Sequence, residues 1–176
     1  LFSKENFYLI DFGISKKVTL DESEQEMTII GTENYLSPEL RIAYNSREQD
    51  KIELNPYKSD GFSFGLICLK AMSDELPFKG SVKDRRFEDK ESLEAEINRL
   101  LKKIYDRYKD ASIGKDSGKF DVLMKCIRKM LVFDWKKRFD FIELFRISLR
   151  FDDYNFLKQV ILMQEELREG IIDETT

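Results

Sequence analysis

Apolar and polar positions alternate with helical spacing over most of this chain. Residues 57–72 place Phe62, Phe64, Leu66, Ile67, Leu69 and Met72 around nearly every face of a helix. A helix that is apolar all round is expected at the centre of a core. Residues 92–108 align Leu93, Ile97, Leu100, Leu101, Ile104 and Tyr108 on one stripe, and residues 120–131 repeat the pattern with Leu123, Met124, Ile127 and Leu131. Asp140 followed by Glu143 resembles a capping box and opens a helix carrying Ile142, Phe145 and Leu149. Residues 152–169 form one more amphipathic stretch, with Gly170 as its end signal. Only residues 7–10 suggest a strand, a short apolar run entering a turn at Asp11-Phe12-Gly13. Residues 14–36 lack either period and are rich in Ser, Thr and Glu, so they read as a long loop, which in a compact domain is usually functional. Residues 82–90 and 109–119 read as charged surface loops. The expected fold class is therefore mainly α.

Composition narrows this picture. With 176 residues the chain supports one domain and one sizeable core. It contains three prolines and eight glycines, which leaves little room for flexible linkers. The net charge of −4 gives no global attraction to nucleic acid or to an anionic membrane, and no apolar run is long enough to span a bilayer. The first residues, Leu1-Phe2-Ser3-Lys4, do not read as a secretory signal. There is no histidine, so chemistry must rest on carboxylates, hydroxyls, lysines and arginines. Cys68 and Cys126 both lie in apolar helical stretches and read as small buried thiols of a reducing compartment. A cytoplasmic location is the expectation.

Asp11-Phe12-Gly13 alone is a weak signal, because a strand ending in a glycine turn explains it equally well. The ordered series that follows is more specific. Gly31-Thr32-Glu33-Asn34-Tyr35-Leu36-Ser37-Pro38-Glu39 comes first, then Lys58-Ser59-Asp60-Gly61-Phe62-Ser63-Phe64-Gly65 and Leu76-Pro77-Phe78. Met130-Leu131-Val132-Phe133-Asp134-Trp135-Lys136-Lys137-Arg138-Phe139 closes it. This order resembles the eukaryotic protein kinases, serine/threonine type, from the DFG motif to the end of the fold. The resemblance covers about residues 1–150, with residues 11–39 as the activation segment and 151–176 as a C-terminal helical extension. It implies the C-terminal helical lobe of a protein-kinase-like fold, with the N-lobe and catalytic loop absent.

That resemblance assigns roles residue by residue. Asp11 would be the metal ligand that chelates Mg²⁺ on the ATP phosphates. Phe12 would pack beneath the nucleotide and Gly13 would let the backbone turn. Thr28 stands three residues before Gly31, where many kinases carry an activating phosphate; the plainer reading is an unmodified loop threonine. Thr32 would hydrogen-bond the catalytic aspartate, and this segment is why the resemblance favours Ser/Thr over Tyr specificity. Ile29, Glu33 and Leu36 would line the pocket for the substrate residue after the acceptor, or simply pack the loop; Glu33 stands where many relatives have proline. Glu39 and Arg138 would form a buried ion pair tying the activation segment to the helical core. Asp60 would open the central helix and accept hydrogen bonds from the catalytic loop; as a plain N-terminal acid it would be favoured by the helix dipole.

Two positions depart from the family pattern. Gly61 and Phe62 follow Asp60 where a β-branched residue and an aromatic are usual, and Gly61 is expected to cost about 1 kcal/mol against Ala. The segment 40–57 is longer than usual and its charges suggest a solvated insertion, or a docking loop. The catalytic-loop aspartate and asparagine precede DFG by roughly eighteen and thirteen residues in the family, so they would lie upstream of Leu1. The expectation is therefore a fragment of a kinase whose parent binds ATP and Mg²⁺ and acts on protein substrates, without nucleic-acid or membrane partners. The alternatives are a pseudokinase or protein-binding module and a purely structural helical domain, for which the 152–169 helix is the best support.

Overall fold

A computed structural model describes residues 11–17, 25–46, 51–77, 89–108 and 117–148. Its elements are β1 (Gln25–Thr28), α1 (Pro38–Ser46), β2 (Lys51–Leu54), α2 (Pro56–Ser73), α3 (Lys90–Tyr108), α4 (Ser117–Met130) and α5 (Phe141–Ser148), with single 3-10 turns at Glu33–Tyr35 and Trp135–Lys137. The fold is mainly helical, and the strands among the described residues form one two-stranded sheet.

Helix α2 is the centre. Asn55 caps it, accepting the Lys58 N–H on its side chain at 3.1 Å, and Pro56 follows with a φ already suited to a first turn. It stops where Asp74 turns left-handed, φ 62°, with its N–H on the Lys70 carbonyl. Phe62, Leu66 and Leu69 are fully buried against α3, α4 and α5. Ile67 is 51% exposed, so the helix is enclosed on all but one edge rather than on every face.

The glycines of α2 have a packing reason. A Cβ on Gly61 would lie 3.1 Å from the Phe139 carbonyl oxygen, and one on Gly65 would lie 3.0 Å from Leu131 and Met130 side-chain atoms. Their lack of a side chain lets α2 approach the turn that carries Arg138. The helix-propensity cost expected for Gly61 is thus offset by a close approach that alanine would obstruct.

Helix α3 begins two residues before the sequence-based expectation. Asp89 starts it, its carboxylate accepting the Ser92 N–H at 2.8 Å, and hydrogen bonds from Ser92 hold this carboxyl below its ordinary range. Leu93, Ile97, Leu100, Leu101 and Ile104 are buried as one stripe. Glu75, just past α2, binds Arg99 at 2.8 Å and Lys103 at 2.5 Å and fixes the α2–α3 crossing. Helix α4 takes in residues 117–119, the end of the stretch expected as a charged loop. Helix α5 opens with a reciprocal capping box: Glu143 N–H donates to Asp140 Oδ1 at 2.8 Å, and Asp140 N–H donates to Glu143 Oε2 at 3.0 Å.

The largest departures from the sequence reading lie between 14 and 57. Strand β1 stands inside the stretch expected as a loop; of the segment 40–57, residues 40–46 belong to α1, 51–54 form β2 with Lys51 and Glu53 exposed, and 47–50 lie outside the described residues. β1 and β2 run antiparallel, pairing Gln25 with Leu54, Glu26 with Glu53, Met27 with Ile52 and Thr28 with Lys51. Each strand is four residues long, too short for its alternation to stand out without its partner. The strand expected at 7–10, the helix at 152–169, residues 82–88 of the loop expected at 82–90 and residues 109–116 of that expected at 109–119 lie outside the described residues.

Candidate functional site

Asp11 opens the described chain in a left-handed conformation, φ 65°, which Asp tolerates better than most residues. Its Oδ1 accepts the Gly13 N–H at 3.4 Å, and Ser15 N–H donates to the Phe12 carbonyl at 3.0 Å, closing a turn. The side chain of Asp11 faces solvent, and Phe12 is 65% exposed. Lys16 then reaches forward, its Nζ donating to the Glu26 carbonyl at 2.8 Å, which joins this turn to β1.

Thr28, the last residue of β1, is exposed; beyond it Ile29 is half-buried and Gly31 takes φ 142° with Leu36 Cδ2 at 3.1 Å from where a Cβ would be, a position only glycine fills without strain. Thr32 is exposed, and its carbonyl accepts the Tyr35 N–H at 2.8 Å to start the 3-10 turn. Glu33 is held from α1: Arg41 donates to its carbonyl at 2.6 Å and Tyr44 Oη donates to its carboxylate at 2.9 Å. Leu36 is buried, so of Ile29, Glu33 and Leu36 it is the one committed to the core.

Hydroxyls of α2 fix this turn, a feature the sequence reading did not single out. Ser37 and Ser59 share a buried hydrogen bond of 2.9 Å, and Ser63 Oγ donates to the Tyr35 carbonyl at 2.8 Å. Ser59 and Ser63 stand one helical turn apart on one face of α2, the only available hint.

The strongest single contact is at Glu39. Arg138 is fully buried and donates through Nη1 to Glu39 Oε1 at 2.8 Å and through Nη2 to Oε2 at 2.9 Å. Its remaining N–H groups reach the Val132, Lys58 and Phe133 carbonyls at 2.8, 3.1 and 3.0 Å. All five guanidinium donors are used, and the guanidinium carbon lies 4.7 Å from the Phe62 ring centroid. Lys58 completes the knot, donating to the Arg138 carbonyl at 2.7 Å and pairing with Glu143 at 3.4 Å.

Asp60 lies more than a turn inside α2, because Asn55 and Pro56 open the helix; it is not the residue that starts it, and the first turn holds no acid. Desolvation raises its carboxyl above the ordinary value although one side of the residue is exposed.

A strained turn at Asp11-Phe12-Gly13, a segment returning to Glu39 and a buried arginine clamp stand in one order along the chain. The protein kinase domain family matches residues 1–148, most of the sequence. The chain belongs to the protein kinase family. Among curated relatives, a serine/threonine-protein kinase/receptor of Acanthamoeba polyphaga mimivirus is 35% identical over 81 residues, 46% of this chain and 5% of that protein. The eye isozyme of protein kinase C from Drosophila melanogaster is 32% identical over 74 residues, 41% of this chain and 9% of the relative. A serine/threonine-protein kinase of Myxococcus xanthus is 34% identical over 79 residues, 43% of this chain and 8% of the relative. The chain thus spans less than a tenth of the length of these relatives. No solved structure matches it.

Protein kinases as a family use ATP and Mg²⁺ and act on proteins. Mg²⁺ takes hard oxygen ligands, typically one or two carboxylates together with substrate phosphates. The exposed Asp11 carboxylate of this kinase chain fits as one such donor, and the described residues contain no cluster of three or more metal-ligating side chains that would form an all-protein cage. A groove of about 430 Å³ lined by Asn98, Tyr105, Met124 and Arg128 belongs to α3 and α4 and includes no residue of 11–39, so it is separate from the Asp11 turn. Among the described residues no helix is long and apolar enough to cross a membrane. Cys68 and Cys126 are free, and burial pushes the Cys68 thiol up to about 11 and raises that of Cys126, as suits structural thiols rather than nucleophiles.

Proposed function

We propose that this chain is the activation segment and helical lobe of a protein serine/threonine kinase, whose full-length form transfers the γ-phosphoryl group of ATP to Ser or Thr hydroxyls of proteins. The observation that carries the reading is the bidentate Glu39–Arg138 clamp, which anchors the end of a segment starting at Asp11 to the helical core. Residues 1–150 form the kinase part and 151–176 an appended segment. Asp11 holds Mg²⁺, with Phe12 and Gly13 shaping the turn at the nucleotide. Thr28 is the activation phosphosite, and Thr32 positions the catalytic aspartate. Ile29 and Glu33 border the substrate residue after the acceptor, with Leu36 supporting them from the core. Asp60 receives hydrogen bonds from the catalytic loop. The base that takes the substrate hydroxyl proton belongs to that loop, so the chain of residues 1–176 alone transfers no phosphate. Free, unreactive cysteines suit a cytoplasmic kinase.

Asp11→Asn in the full-length protein is the test. Asparagine keeps size and one oxygen but removes the charge that holds the metal, so kcat should nearly vanish while the melting temperature stays in place. Asp21→Asn is the control and should turn over normally. Steady-state phosphorylation of a generic protein substrate across a Mg²⁺ titration reads both. Near-normal turnover by folded Asp11→Asn would remove Asp11 from the metal site.

A further inference from the structure

The β1–β2 pair has two faces of different character. Met27, Ile52 and Leu54 turn inward, while Glu26, Thr28, Lys51 and Glu53 are all exposed on the other face. Two like charges, Glu26 and Glu53, oppose each other directly, an unfavourable cross-strand pairing. Lys51 is the one cation that the strands themselves put on this face, and its Nζ lies 3.0 Å from Glu26 Oε2. Lys51 reaches that carboxylate diagonally, whereas its direct partner in the register is Thr28. Directly opposed Cβ atoms in an antiparallel pair stand about 4.5–5.5 Å apart, against roughly 7–8 Å for the diagonal.

We propose that Lys51 is the cation that receives a phosphate on Thr28, leaving Glu26 to do so. The proposal rests on reading Thr28 as the activation phosphosite and adds the group that reads the phosphate. A phosphate carries about −1.5 to −2 charge and three acceptor oxygens, more than the single charge of Glu26, and it sits at the nearer position. The exchange replaces a diagonal contact with a direct cross-strand one between β1 and β2. It therefore fixes the start of the stretch that runs through Thr32 to Glu39. The strands put Glu26, Glu53 and Lys51 on this face, and Lys16, followed by the exposed Lys17, reaches the strand with its Nζ on the Glu26 carbonyl.

The test places phosphothreonine at position 28 of the full-length protein by genetic encoding and follows its second ionisation by ³¹P NMR. A cation beside the phosphate favours the dianion and lowers this pKa. Lys51→Gln should raise it by roughly half a pH unit, the size of an exposed ion pair. Glu26→Gln should lower it by freeing Lys51 and removing a like charge. Lys16→Gln should leave it in place. All three positions are exposed, so each variant should fold. No shift with Lys51→Gln, or a shift carried by Lys16→Gln instead, would overturn the assignment. Because the phosphate is installed directly, that outcome is independent of what phosphorylates the protein. Absence of phosphate on Thr28 in peptide mass spectra of the active kinase would sink the phosphosite reading, and the switch with it.

Discussion

Replacing Arg138 with methionine removes the charge and all five donors while keeping most of the side-chain volume. Arg138 is 0% exposed and Glu39 11%, so water cannot take over the bonds that are lost. Glu39 would be left as a nearly buried carboxylate, and the carbonyls of Lys58, Val132 and Phe133 would each lose a donor. Breaking one side of a buried ion pair typically costs about 3–5 kcal/mol, and the additional carbonyls place this case toward the upper end. Arg138→Lys should lose most of the same amount, because one ammonium cannot serve two carboxylate oxygens and three carbonyls in a planar fork. Arg107→Ala is the comparison. Arg107 is 42% exposed and binds the Met72 carbonyl at 3.0 Å, and its loss should cost no more than about 1 kcal/mol. Urea unfolding of the full-length protein gives all three values. An Arg138→Met loss no larger than that of Arg107→Ala would refute the view that this clamp anchors the activation segment.

Gly65→Ala should destabilise by about 1–3 kcal/mol, because its methyl would meet Leu131 and Met130 at 3.0 Å, reversing the gain of up to about 1 kcal/mol usual for Gly→Ala in a helix. Gly61→Ala should lose stability too, against the Phe139 carbonyl at 3.1 Å; a rise in melting temperature for either variant would show that the close approach is not limiting. Desolvation raises the Asp60 pKa, so the folded chain holds this proton more tightly than the unfolded one, and stability falls as pH rises from the unfolded value, about 3.9, through the raised folded value. Asp60→Asn in the 176-residue chain should therefore melt higher than the wild type at pH 7 and equal to it below the unfolded value; a gap that persists at acid pH would exclude ionisation as its cause.

What the sequence revealed depended on how much of each signal was local. The α3 stripe from Leu93 to Ile104 repeats over several turns, and the Asp140–Glu143 capping box is contained in four residues, so both could be read directly. The start of α2 was also local: the apolar pattern places it at Tyr57, one residue from Pro56, although the opening role falls to Asn55 and not to Asp60. β1 and β2 escaped because their evidence is mutual: Glu26-Met27-Thr28 makes sense as a strand only opposite Lys51-Ile52-Glu53, across a helix. The glycines of α2 were legible as departures but not as causes, since the atoms that require them, on Leu131 and Phe139, lie in another part of the chain. At the candidate site, Glu39 and Arg138 were recognisable through their motifs, whereas Ser37 carries no spacing signal and Ser59 and Ser63 only that of standing one turn apart on α2.

The segment proposed as the activation segment is held unequally along its described residues, and this bears on where control can act. Its end is tied by buried and half-buried groups: the Arg138 fork on Glu39, the buried Ser37–Ser59 hydroxyl pair and the half-buried Ser63 on the Tyr35 carbonyl. Such bonds are expensive to break and respond little to salt. The middle is tied by a short strand pair whose outer face carries exposed charges, each contact worth about 0–1 kcal/mol and screened by ions. A charge added at Thr28 is comparable in strength to everything on that face, whereas the same charge would be negligible against the Glu39 clamp. A modification that must alter the segment without unfolding the lobe therefore has to act on the middle, and Thr28 and Lys51 are where the register puts a hydroxyl and a cation face to face.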